Sequence, residues 1–142
     1  MDREEALMLL SFHSGRNPNI NDSRWENGFI GSLRKYNGNL NEDNFIEIME
    51  CLKVLSKDFS SDKIDRELMA DVYGIFYQAN LWLGKGGRLD NIDSENKNKL
   101  DKWLKIYSYA VELLLEYSEQ SCEEAFYEYE DYLKGNSNYD DI

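Results

Sequence analysis

Phe45, Ile48, Met49, Leu52, Leu55 and Phe59 recur every three or four residues, so on an α-helix they share one face. Similar spacing returns along almost the whole chain. A half-buried strand would require alternation of period two, and no such alternation persists. The spacing predicts an all-α protein, a single-domain bundle of about six helices with mostly antiparallel neighbours. At 142 residues the chain can bury a core without a disulfide or metal to staple it. The bundle is expected over residues 1–135, with a frayed acidic tail at 136–142.

Helix ends follow from capping chemistry. The first predicted helix runs from about Asp2 to His13 and stops before Gly15 and Pro18. The second starts at Ser23, with Ser23 and Glu26 as a capping box, and continues through Trp25, Phe29 and Leu33 to Tyr36. Its Gly28 and Gly31 weaken it and favour close approach of a neighbour. The third begins after Asn41, with Leu40 and Phe45 as a hydrophobic staple.

Ser60 is expected to cap the fourth helix. This helix is apolar at Leu68, Val72 and Ile75, and again at Met69, Tyr73 and Tyr77, a width that predicts a central position. Asp93 or Ser94 caps the fifth, also expected to be central. Ser121 and Glu124 form the capping box of the last, which ends before Gly135.

Several chemistries lack their residues. The single histidine, His13, and two distant cysteines, Cys51 and Cys122, do not match a structural zinc site. His13 is read as closing its helix near the surface. The GKGG run at 84–87 lacks the spacing and the strand of a phosphate loop. The acids near 90–95 do not follow the calcium-loop pattern. Glu-x-x-His pairs for a di-metal bundle are missing. No cofactor is expected, and the chain leans away from catalysis. Without an export signal or a long apolar run, a cytoplasmic location and two reduced thiols are expected.

Charge is the strongest functional cue. Net charge is −12, and residues 112–142 carry ten acids against Lys134 alone. Phosphate backbones and anionic membranes should repel such a chain, so neither nucleic acid nor membrane is an expected partner. A basic protein is the expected one. The contact residues assigned to it are Glu123, Glu124, Tyr127, Glu128, Glu130 and Asp131. In its concrete form this is a small inhibitor, such as a bacterial immunity protein that covers a basic toxin or nuclease.

The alternative is a ligand-binding or enzymatic bundle. Its pocket would gather Arg66 and Asp71 with Trp82, Trp103 and Tyr107. Asp62, Arg66 and Asp71, with Arg24 and Glu26 as cross-helix partners, are otherwise expected to form a structural ion-pair network.

Overall fold

The computed structural model describes residues 1–136, so all of the expected tail beyond Asn136 lies outside the described residues. The elements are α1 (Arg3–His13), α2 (Ser23–Asn27), α3 (Phe29–Arg34) and α4 (Glu42–Val54), then a 3-10 helix (Ser56–Ser60). They continue with α5 (Arg66–Leu83), α6 (Ser94–Glu116), α7 (Glu119–Glu124) and α8 (Tyr127–Leu133). The fold is all-helical, and no helix among the described residues is long and apolar enough to cross a membrane.

One core joins these elements. Leu10, Ile30, Ile48, Met49, Leu52, Leu68, Ile75 and Leu100 are fully or almost fully buried in it. At one end Trp103 stacks on Phe45, with ring centroids 5.2 Å apart and planes 5° from parallel. Tyr129 and Tyr132 meet Phe45 edge-on at 6.0 and 5.5 Å, the geometry favoured by ring quadrupoles. This aromatic cluster seats α8 on α4 and α6.

Three helix starts differ from the sequence expectation. Asp22, not Ser23, caps α2, its carboxylate accepting the Arg24 N–H at 2.9 Å. The expected second helix then breaks at Gly28, whose backbone is extended. A Cβ there would lie 2.9 Å from the Phe12 carbonyl oxygen and 2.8 Å from that of Arg24, so only glycine lets the end of α1 come this close.

Asp65, not Ser60, caps α5, accepting from the N–H groups of Glu67 and Leu68. Ser60 instead ends the 3-10 helix, which exists because Phe59 turns into the core. Ser118, not Ser121, caps the next helix. Ser118 accepts the Ser121 N–H at 3.0 Å, and the Ser121 hydroxyl accepts the Ser118 N–H at 2.7 Å. The expected last helix is divided at Ala125 and Phe126, both buried, which lets α8 turn onto α4.

The glycine-rich connection is held by Asp90. Its carboxylate accepts the Gly86 N–H at 2.8 Å and the Lys97 ammonium at 2.9 Å. These bonds hold the Asp90 carboxyl below its ordinary range, the Lys97 bond contributing most. Gly86 carries a φ of 80°, which favours glycine.

Candidate functional site

The described acidic stretch, Glu112 to Asp131, runs over the end of α6 and through α7 and α8. Beyond Glu116 the backbone reverses at Tyr117, in the left-handed region with φ 41°. α7 and α8 then pack back along α6 and α4. Tyr129 is buried and donates its hydroxyl to Glu50 at 2.8 Å. Tyr132 donates to Glu42 and accepts the Trp103 indole N–H at 2.9 Å. Glu42 and Glu50 lie two turns apart on α4, so the two tyrosines clamp α8 along that helix.

With Tyr129 and Tyr132 turned inward, the opposite side of α8 faces water. Tyr127 is 52% exposed, and Glu123 and Glu130 are also exposed. Glu124, Glu128 and Asp131 are half-buried. Glu130 meets Lys53 at 3.6 Å. Glu116, Glu119 and Glu123 have no cation within ion-pair distance among the described residues. Glu112, Glu124 and Glu128 cluster around Tyr109; burial first, then these acids, raises its phenol. Of the six assigned contact residues, three are therefore open to a partner and three are partly covered.

Asp71 is the most buried carboxylate of the expected ion-pair network, at 5% exposure. Its partner is not Arg66. Arg16, from the turn after α1, reaches Asp71 at 2.9 Å and Glu67 at 3.0 Å. The Ser14 hydroxyl donates to the same Asp71 oxygen at 2.9 Å. Burial raises the Asp71 carboxyl, with Arg16 and Ser14 opposing that rise. Arg66 and Asp62 are exposed at the start of α5 and before it. Arg24 pairs with Asp22 at 2.7 Å and Glu26 with Lys35 at 3.4 Å, so neither supplies the expected cross-helix contact. The network ties α1 to α5, and its cation comes from a loop that spacing on α5 could not reveal.

The expected pocket is likewise not assembled. Arg66 and Trp82 occupy opposite ends of α5, about 24 Å apart along its axis. Trp82 is half-buried beneath the guanidinium groups of Arg34 and Arg88. Trp103 belongs to the core, and the Tyr107 hydroxyl donates to the Val72 carbonyl at 2.6 Å.

Among the described residues, one polar cleft surrounds His13. It holds about 250 Å³ and is lined among others by His13, Arg24, Asn27, Asn41, Asn44 and Glu47. His13 is buried, not at the surface, because the extended backbone at Gly28 folds over it. Its Nδ1 accepts the Phe29 N–H at 3.0 Å, which leaves the proton on Nε2. Nε2 donates to Glu47 at 2.8 Å, and this bond lowers the Glu47 carboxyl. Sequence reasoning missed Glu47; it lies in an amphipathic helix, with no local pattern to mark it.

Trp25 is half-buried and donates its indole N–H to the Gly15 carbonyl at 3.1 Å, bracing the α1–α2 turn. Cys51 and Cys122 are free. Among the described residues no three His, Cys, Asp or Glu side chains gather to hold a metal ion. No family model, curated protein or solved structure matches the chain.

Proposed function

We propose that this chain is a small acidic interaction protein that binds a basic protein through the outer face of α7 and α8. The observation that carries the reading is three exposed acids, Glu116, Glu119 and Glu123, with no cation within ion-pair distance among the described residues, together with exposed Tyr127. Acids without internal cations project a field that steers a basic protein into contact. Tyrosine adds contact area at low entropic cost. Glu123, Glu124, Tyr127, Glu128, Glu130 and Asp131 form the proposed contact set. An immunity protein or similar inhibitor in the bacterial cytoplasm is the concrete form, because a toxin that grips phosphate must present a basic surface. The same negative field argues against nucleic acid and anionic membrane as partners.

The test is affinity capture from native cytosol with wild type and with a Glu119→Lys, Glu123→Lys, Tyr127→Ala variant. A basic protein retained at low salt, released at high salt and lost by the variant supports the reading. Retention that ignores both salt and variant counts against it, as does recovery of nothing.

A second reading follows from the His13 cleft. Its lining of asparagines, Arg24 and Glu47 suits a small polar ligand. Both His13 nitrogens are already bonded within the protein, which favours binding over acid–base catalysis. A thermal-shift screen decides it: a ligand at 100 times its Kd adds ~2.7 kcal/mol.

A further inference from the structure

The fourth predicted helix is expected to be central; α5 does pack against α1, α3 and α6, but part of its wide apolar face stays open. Leu68, Val72, Ile75 and Ala79 of α5 enter the core. The second apolar side stays open, with Tyr73 63% exposed and stacked on exposed Tyr77 at 5.8 Å. Opposite it on α6, Leu115 is 44% exposed. Between the two helices runs a groove of about 300 Å³, walled by Met69, Tyr73, Phe76, Val111 and Leu115, with Glu112 on its rim. An open apolar groove on a chain this polar marks an interaction surface.

Charge selects the occupant. Glu112 stands both on the groove and in the acidic cluster around Tyr109, with Glu124 and Glu128. The acids that act on Tyr109 thus include one on the groove and two from α7 and α8. Lys105, two turns before Glu112 on α6, is already paired with Asp101 at 2.9 Å. A second copy of this chain would bring another net charge of −12 against the same rim. Length agrees with a helix: Tyr107 to Leu115 spans about 12 Å of α6, enough for anchors at i, i+4 and i+7.

We infer that the α5–α6 groove receives an amphipathic helix of the basic partner, its apolar side on Met69, Tyr73, Phe76, Val111 and Leu115 and its Lys or Arg side chains toward Glu112 and Glu116. This rests on the acidic-partner reading for the sign of the occupant and adds where its apolar anchors go.

The test titrates the isotope-labelled full chain with two synthetic peptides, followed by NMR and fluorescence anisotropy. One is a Leu/Lys peptide with leucines at helical i, i+3, i+4, i+7 spacing; the other is its scramble. The ordered peptide is expected to bind at least roughly tenfold more tightly and to shift Tyr73, Phe76, Val111 and Leu115. Tyr73→Ser or Leu115→Gln should remove that preference while circular dichroism stays unchanged. Equal binding of both peptides, with shifts confined to α7 and α8, overturns the groove and leaves the acidic-partner reading standing. Binding of neither peptide overturns both. Concentration-dependent self-association through the same groove residues, seen without peptide, makes a second copy the occupant and overturns the inference.

Discussion

The imidazole of His13 accepts the backbone N–H of Phe29, sixteen residues away, at 3.0 Å. That one bond satisfies the first turn of α3 where Gly28 supplies no side chain to cap it. It also fixes the tautomer, so that Nε2 faces Glu47 with its proton. His13 does end α1, as the sequence suggests, but it is buried there and is the peg between α1, α3 and α4.

His13→Ala leaves the buried Phe29 N–H without an acceptor and opens a small cavity. A loss of about 2–4 kcal/mol is expected in urea unfolding. His13→Asn should recover part of it, because Oδ1 can stand where Nδ1 stood. His13→Gln, which can reach Glu47 but not Phe29 in the same pose, should recover less. Equal losses for Ala and Asn would show that the Phe29 bond contributes nothing.

Asp71 and Asp22 should drive stability in opposite directions with pH. Burial raises the folded-state carboxyl of Asp71, so the folded protein holds that proton more tightly than the unfolded chain. Its contribution grows as pH falls through the raised value toward 3.8. Asp22 is held down to about 2 by Arg24, so its contribution is full above 3.8 and is lost as pH falls through about 2. Denaturant unfolding of wild type and Asp71→Asn between pH 7 and pH 4 checks the first sign. Wild type should gain on the variant as the solution is acidified.

Arg16→Met removes the cation that faces Asp71 and leaves its packing stem. Arg16 is itself partly exposed, so solvent screens the pair, and a loss of about 1–3 kcal/mol is expected. Arg66→Met should cost little, within about 0.5 kcal/mol, since no partner among the described residues depends on it. The pair of variants separates the partner found in space from the one suggested by helix spacing.

The two thiols should differ in reactivity. Burial, with the nearby charges of Glu47, Glu5 and Glu50, pushes the Cys51 thiol up to about 12. Cys122 is only half-buried on α7. A thiol reagent at pH 8 should titrate one group quickly, and Cys122→Ser should abolish that fast phase. Cys51 should react only on unfolding.

Tyr132→Phe should cost about 1–2 kcal/mol, because the Trp103 indole N–H loses its acceptor and Glu42 its donor. In wild type the Tyr132 phenol is pushed up to about 12, mainly by burial, so it should ionise late in an alkaline absorbance titration. The variant should lose that late step.

Some of the site was legible and some was not. The acidic C-terminal stretch is a count along the chain, and Tyr127 could be separated from Tyr129 by helical phase alone. Nothing in phase could show that Tyr129 and Tyr132 would bond Glu50 and Glu42, or that Glu116, Glu119 and Glu123 would find no cation among the described residues. The wide apolar face of α5 was visible, and α5 does pack against α1, α3 and α6, but width could not show that one side stays open. Tyr73 and Tyr77 are the exposed part of that face.

The sequence by itself determined the helical class, the approximate course of the long helices and the sign of the surface charge. Those depend on neighbours within about one turn, or on a sum that folding does not alter. Tertiary structure decided where short helices break, which cation meets Asp71, that His13 is buried and that the α5–α6 groove is open. Each of these depends on groups many residues apart, as Arg16 is 55 residues from Asp71 and Phe12 presses its carbonyl on Gly28. Such contacts are set by how the helices pack, and local spacing carries no record of them.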